Sequence, residues 1–146
     1  MIFDSPETFL PEYLRESGSV RGNEWAWPIG DIPAIIEAAR LHHMVSVGGQ
    51  LQFRFPDQGT CELYWIEVNT FQIVPRDLPW HERVEQTAAV ALLQFQGLQE
   101  RYDFLAEGQS SFGQYLDLFR ASGGDPHDAM CFVWYVEASS KSLEQA

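Results

Sequence analysis

The chain has 146 residues, of which 45% are hydrophobic and 14% aromatic, a composition that builds one folded domain and excludes a disordered chain. Acidic residues outnumber lysine and arginine by 21 to 9, and the net charge of −12 disfavours binding to nucleic acids and to anionic membranes. That charge favours a basic protein partner, although it also serves solubility alone. No apolar run could span a membrane and the N-terminus lacks a basic signal-peptide start, so we expect a cytoplasmic protein.

Three elements are predicted in the first third of the chain. A short or kinked helix comes first, because Pro11 interrupts its apolar pattern. Residues 18–30 are predicted to form a loop that carries Trp25 and Trp27. A second helix is predicted to begin at Asp31, where isoleucines recur at helical spacing, and to end near residue 42 or 43.

A β-hairpin is predicted for residues 48–68, which read GGQLQFRFPDQGTCELYWIEV. The outgoing strand alternates cleanly, with leucine and phenylalanine on one face and Gln50, Gln52 and Arg54 on the other. In the return strand, the same alternation puts Trp65 on the apolar face and Ile66 on the polar face. The two glycines that open this segment, Gly48 and Gly49, allow a bend or a bulge.

The pairing register of this hairpin follows from the apolar pattern. Pairing Phe55 with Cys61 leaves a loop of residues 56–60 and sets phenylalanine and leucine side chains opposite one another. In this register Arg54 lies opposite Glu62. A slip by one residue would set a phenylalanine opposite that glutamate, so the register with the longer loop is preferred.

The second half of the chain predicts two helices and one strand. A long helix is expected from residue 77 or 78 to about 98, with an extension to about 105, and another from residue 110 or 111 to 123. The run AMCFVWYVEA, residues 129–138, is almost continuously apolar, as in a strand buried on both faces. The chain is therefore predicted to be one α+β domain over residues 1–138, with a small antiparallel or mixed sheet, a central C-terminal strand and about four packed helices. Residues 139–146 are predicted to be a disordered tail.

No catalytic, cofactor or metal site is predicted. The chain has two cysteines, too few to suggest a metal site and expected to be buried and reduced. His42 and His43 are adjacent on a helix and diverge by about 100°. Glu62 and Glu67 are five residues apart in one strand, so they are expected on opposite faces and not as a glycosidase pair.

Two surfaces are candidates for binding a partner. The first is the polar hairpin face, with Gln52, Arg54, Glu62 and Tyr64. A helix covering this face is the alternative, since four helices must be placed. The second surface is a patch with one acid and two aromatics, for which a small second core is the alternative; its members are Glu24, Trp25 and Trp27.

Several segments resemble the cytosolic immunity proteins of bacterial polymorphic toxin systems, including contact-dependent and type VI secretion systems. They are MVSVGGQLQFRFPDQGTCELYWIEV, PWHERVEQTA, YDFLAEG and CFVWYVEA, and the likeness covers roughly residues 31–137. The resemblance implies a small, acidic, non-enzymatic α+β protein, monomeric or homodimeric, that binds and neutralises a cognate secreted toxin. Such a partner would be a protein domain, not nucleic acid or membrane, and no cofactor is implied.

Two other functions stay open at this point. One is an acidic chaperone or adaptor for a secreted effector, which would expose an apolar groove to an unfolded segment. The other is a small enzyme whose site is not recognisable from the sequence. A toxin gene directly upstream would favour the immunity function over both.

Overall fold

The computed structural model describes residues 5–56 and 59–139, which fold as an α+β structure and confirm the expected class. The α-helices of this part are α1 (Glu12–Ser17), α2 (Ile32–Leu41), α3 (Trp80–Arg101), α4 (Phe104–Ala121) and α5 (Pro126–Ala129). Its strands are β1 (Ser19–Arg21), β2 (Glu24–Trp27), β3 (Val45–Phe55), β4 (Gly59–Asn69), β5 (Met130–Val133) and β6 (Tyr135–Glu137). Short 3-10 turns lie at Pro6–Phe9, Ile29–Asp31 and Thr70–Gln72.

All strand pairs of the sheet are antiparallel. The strand order is β1-β2-β5-β3-β4, and β6 pairs with β3 beyond the end of β5. The C-terminal strand β5 therefore lies between β2 and β3, as its unbroken apolar pattern predicts. The apolar run is divided into β5 and β6 at Trp134, whose side chain is fully buried.

The main core lies between the helices and one face of the sheet, which we call the inner face. Leu51, Phe53 and Phe55 of β3 point into this core and are fully buried. Phe132 of β5 meets Phe95 of α3 edge to face, with ring centroids 5.2 Å apart. The periodic apolar residues of the sequence thus end up where their spacing predicts.

The hairpin of β3 and β4 pairs two residues away from the predicted register. Arg54 lies opposite Thr60. Gln52, and not Arg54, lies opposite Glu62, so the expected Arg54–Glu62 pair is wrong. A shift by two leaves every side chain on its predicted face up to the bulge described next. The apolar pattern therefore could not distinguish these registers.

A β-bulge interrupts β4. Leu51 pairs with Leu63, whereas the neighbouring Gln50 pairs with Glu67, so residues 64–66 are extra on the β4 side. An inserted residue changes which side chains face the core from that point onward. The two-residue alternation assumed from the sequence fails here for this reason.

The bulge reverses the predicted orientation of the return strand. Ile66 is fully buried in the main core, while Tyr64 is 66% and Trp65 is 50% exposed. The expectation that Trp65 faces the core and Ile66 the polar face is therefore wrong. Glu62 and Glu67, expected on opposite faces, lie on the same one.

The segment predicted to be a loop around the first two tryptophans forms the β1–β2 hairpin. Trp27 is fully buried, and its indole N–H donates to the Leu14 carbonyl at 2.6 Å. Trp25 is half-buried and stacks on Trp27, with centroids 5.7 Å apart. Trp27 thus belongs to the main core and not to a second, smaller one.

Side chains from elsewhere in the chain occupy both ends of β4. At its beginning, Arg21 donates to the Gly59 carbonyl at 2.9 Å. At its end, the Gln94 side chain accepts from the Asn69 N–H at 2.9 Å and donates to the Asn69 carbonyl at 3.3 Å. Backbone groups at both ends of β4 are therefore already satisfied by side chains.

The predicted tail is described only at residue 139, and residues 140–146 lie outside the described part of the chain. Within that part, no helix has the length and apolar content needed to cross a membrane.

Replacing Gly49 by alanine should strongly destabilise the fold. A Cβ at this position would lie 1.6 Å from the Val133 carbonyl oxygen, because β3 and the β5–β6 junction approach closely there. We expect a loss of about 3 kcal/mol or more in the free energy of unfolding, measured by urea denaturation.

Gly97→Ala is the matched control. Gly97 lies inside α3, and no atom outside its own turn lies within 4 Å of a Cβ placed there. The same chemical change should stabilise the protein by about 0.5–1 kcal/mol, since alanine is the better helix former. Equal effects of the two substitutions would contradict the close approach at Gly49.

Candidate functional site

The face of the sheet opposite the main core, which we call the outer face, is lined by polar side chains and one small apolar cluster. That cluster consists of Ala26, Cys131 and Val133, with Tyr135 packed against it. The sheet curves so strongly that β1 approaches β3 and β4, although two other strands separate it from β3 in the sheet order. The β1–β2 hairpin therefore covers part of the outer face.

Arg54 holds this hairpin in place. Its guanidinium is only 7% exposed and donates to the Ser19 carbonyl at 2.9 Å and to the Glu24 carbonyl at 3.1 Å. Its Nε donates to the Gln52 amide oxygen at 2.9 Å. Burial lowers the pKa of Arg54, although that group stays charged at neutral pH.

Gln52 links this buried guanidinium to two carboxylates. Its amide nitrogen donates to Glu62 at 2.5 Å and to Glu24 at 3.3 Å. Since its oxygen accepts from Arg54, the orientation of the amide is fixed by its partners. The side chain is 1% exposed, so the two carboxylates are positioned from beneath.

Two tyrosines complete the network. The Tyr135 hydroxyl donates a hydrogen bond to Glu24. Burial raises the pKa of Tyr135 to about 12, and this hydrogen bond is the second-largest cause. A hydrogen bond to Glu62 is the largest cause of the raised pKa of Tyr64. Both phenols therefore stay protonated at neutral pH and act as donors.

A groove of about 430 Å³ opens above this network. Glu24, Gln52, Glu62 and Tyr64 contribute to it from the sheet, and Phe112 contributes from a kink in α4. The groove is bounded by both aromatic and charged groups, a combination common in protein interfaces.

The half-buried and exposed residues of β4 between Glu62 and Glu67 form a row along the strand, which we call the β4 row. Its members are Glu62, Tyr64, Trp65 and Glu67. Carboxylates stand at both ends and two exposed aromatic rings in the middle. This arrangement exists because the bulge turns two successive aromatic residues outward.

The predicted binding residues divide into a buried and an accessible group. Gln52, Arg54 and Trp27 are buried and offer little surface to a partner, although Gln52 still contributes to the lining of the groove. Sequence alternation identifies their face or strand, but not how deeply it is covered. The other four predicted residues are half-buried or exposed, and they are Glu24, Trp25, Glu62 and Tyr64.

Sequence reasoning missed Trp65 and Glu67 as surface neighbours of Tyr64. Assuming an uninterrupted strand put Trp65 in the core and Glu67 on the other face. The one available signal was the run Leu63–Ile66, in which four successive large apolar or aromatic residues cannot all satisfy a two-residue alternation.

The chemical groups on this face are mainly carboxylates and aromatic side chains. Among the described residues, no three His, Cys, Asp or Glu side chains are grouped to hold a metal ion. Burial raises the pKa of Cys131 to about 11, so its thiol is a poor nucleophile at neutral pH. What the face offers is fixed carboxylates, phenols and an exposed indole.

Replacing Arg54 by methionine should destabilise the fold by about 3 kcal/mol. The change keeps the apolar stem but leaves the Ser19 carbonyl, the Glu24 carbonyl and the Gln52 amide oxygen without their donor. Arg40→Met is the control, since Arg40 makes its ion pairs at the surface. Urea denaturation should show a much smaller loss in the free energy of unfolding for Arg40→Met. Equal losses for the two variants would contradict the role of Arg54 in holding the β1–β2 hairpin.

Cys131 should make the protein less stable in alkali. Its folded-state pKa, about 11, lies above the ordinary value, so the folded chain retains a proton that the unfolded chain loses. The contribution is complete below pH 9 and should be lost as pH rises to 11, lowering the free energy of unfolding by about 2–3 kcal/mol. Measured by urea denaturation between pH 8 and 11, the free energy of unfolding should decline less steeply for Cys131→Ala than for the unchanged chain. An equally steep decline would be inconsistent with the raised pKa of Cys131.

Comparison with known proteins does not supply a function for this face. No protein-family model, no curated protein and no solved structure matches the chain. The resemblance to immunity proteins therefore stays a prediction, and the function has to be argued from the geometry of the outer face.

Proposed function

We propose that this chain is an immunity protein that binds and neutralises a basic bacterial toxin domain in the cytoplasm. The observation that carries the proposal is the β4 row, in which a bulge exposes Tyr64 and Trp65 between two glutamates. Tryptophan and tyrosine are the residues that most often dominate protein–protein binding energy. The protein would act without catalysis or a cofactor, as a monomer or homodimer.

The charge of the chain supports a basic partner. A net charge of −12 accelerates the capture of a positively charged domain and repels acidic competitors. It also disfavours nucleic acid as the ligand. An inhibitor of a basic toxin needs this long-range attraction together with a few strong contacts at short range.

The buried network beneath the groove supports a pre-organised binding surface. Glu24 and Glu62 are held by the same buried amide, that of Gln52, which is itself held by Arg54. Side chains that are fixed before binding lose less conformational entropy when the complex forms. Such a surface suits recognition of a folded domain.

One observation favours the alternative of a secretion chaperone or adaptor. A groove of about 540 Å³ lies between the N-terminal segment and the end of α2, and its apolar lining includes Phe9, Leu10, Leu41 and Met44. A chaperone would use such a groove to hold an unfolded segment of its effector. The second alternative, a small enzyme, has no comparable support among the described residues.

Co-expression with the product of an adjacent toxin gene should give a stoichiometric complex. We expect Tyr64→Ala and Glu62→Lys, once shown to fold, to weaken binding at least tenfold, since both change the β4 row. Tyr13→Ala is the control, because Tyr13 is similarly exposed, at 68%, but lies on α1. The association rate should fall as salt rises.

The outcomes separate the proposed functions. Wild-type binding and cell protection by both folded β4 variants would exclude the β4 row as the docking site. A complex that forms only with an unfolded segment, and weakens on Leu41→Asp, would favour the chaperone. Failure of the toxin domain to bind at all would refute the immunity function.

A further inference from the structure

Trp65 is half-exposed, although its strand buries several apolar side chains in the core. The large aliphatic residues of β4 are at most 3% exposed, and they are Leu63, Ile66 and Val68. A half-exposed indole contributes less hydrophobic stabilisation than a fully buried one. Large aromatic side chains that stay exposed in a well-packed strand are typical of surfaces that contact a ligand.

The two glutamates of the β4 row differ in how their charge is compensated. Glu62 accepts hydrogen bonds from Gln52 and Tyr64. Arg21 lines the same groove as Glu62 and Glu24. Glu67 is exposed, and within residues 5–56 and 59–139 its carboxylate forms no ion pair or side-chain hydrogen bond.

Trp65 and Glu67 are close enough to act on one ligand group. The covalent chain keeps the Cα atoms of residues two positions apart within roughly 7 Å of one another, whatever the local bulge geometry. A cation stacked on an indole lies within about 6 Å of the ring centroid, where it would also be in reach of that carboxylate. A planar guanidinium fits this geometry better than an ammonium, since it can stack on the ring and pair with the carboxylate at once.

The chain builds the same arrangement twice from its own residues, beside β6. The guanidinium carbon of Arg76 lies 4.2 Å from the Phe71 ring centroid, and Arg76 pairs with Glu137 at 3.6 Å. Arg83 lies over Trp80 at 5.2 Å and pairs with the same glutamate at 3.4 Å. In both cases an aromatic ring and a carboxylate share one guanidinium.

We infer that Trp65 and Glu67 form a subsite for one arginine side chain of the partner protein, an inference that rests on the proposed function. Like the sites of Arg76 and Arg83, the subsite combines an aromatic ring with a carboxylate. Its guanidinium would be supplied by the partner protein. Arginine is the ligand that the net charge of the chain and the exposed indole both favour.

Nuclear magnetic resonance of the full chain tests this subsite without the toxin. The chain has five tryptophans, and the indole N–H signal of Trp65 is assigned by its loss in Trp65→Phe. The probe is the capped tripeptide acetyl-Gly-Arg-Gly-amide. The control probe has citrulline in place of arginine, which keeps the shape and removes the charge.

We expect the Trp65 indole signal to move with the arginine peptide and to move far less with the citrulline peptide. Glu67→Gln should weaken peptide binding about threefold or more, because it removes the counter-ion and little volume. Glu100→Gln, another exposed glutamate, should leave binding unchanged.

Three results would overturn the inference. The first is an equal response to both peptides. The second is a Trp65 signal that moves with protein concentration, which would assign the surface to a second copy of the chain. The third is a signal that moves on Lys141→Gln, which would indicate that the chain's own lysine already occupies the ring.

The peptide and toxin experiments fail independently. Tight toxin binding with no peptide response would refute the arginine subsite and leave the immunity function intact. A charge-dependent peptide response with no toxin binding would refute the immunity function and leave the arginine subsite intact. With a bound toxin, Trp65→Ala and Glu67→Gln should each weaken binding about tenfold, and the double variant less than a hundredfold, as expected for two groups that share one arginine.

Discussion

The outer half of this protein depends on one buried positive charge. Arg54 lies in the sheet with no carboxylate of the described residues within ion-pair distance, so its charge is stabilised by carbonyl and amide oxygens. Losing these acceptors would leave a desolvated cation, which is far more costly than losing an ordinary hydrogen bond. The β1–β2 hairpin that supplies two of them must therefore stay folded over β3, and the curvature of the whole sheet follows.

The same charge determines the orientation of the groups around it. The amide oxygen of Gln52 is committed to Arg54, so its nitrogen must face outward and finds the two carboxylates at the groove. Glu24 and Glu62 are thus arranged, through Gln52, by a largely buried cation. A buried polar network of this kind is stable because each of its members has a partner.

The sequence predicted the parts of the fold that follow from periodicity. The helices, the inner face of β3 and the interior C-terminal strand all have regular apolar patterns. The β1–β2 hairpin was missed because its strands are short and half-buried, with two glycines nearby that are typical of loops. The lining of the groove was predicted in part, since alternation assigns Glu62 and Tyr64 to the polar face of the hairpin. The depth of Gln52 and Arg54 depends on a hairpin that pairs far away in sequence, and the exposure of Trp65 depends on a bulge, which no propensity encodes.

The blocked edge of β4 has a consequence for selectivity. A partner that adds a strand to a sheet binds mainly through backbone groups, which are identical in every protein, so such an edge accepts many sequences. Here the side chains of Arg21 and Gln94 already occupy backbone groups at the two ends of β4, the strand at the edge of the sheet, and the bulge interrupts its middle. Recognition on this side of the molecule is left to side chains, whose identities can change one at a time. Closely related partners could then be distinguished by single substitutions in the β4 row while the scaffold beneath stays the same.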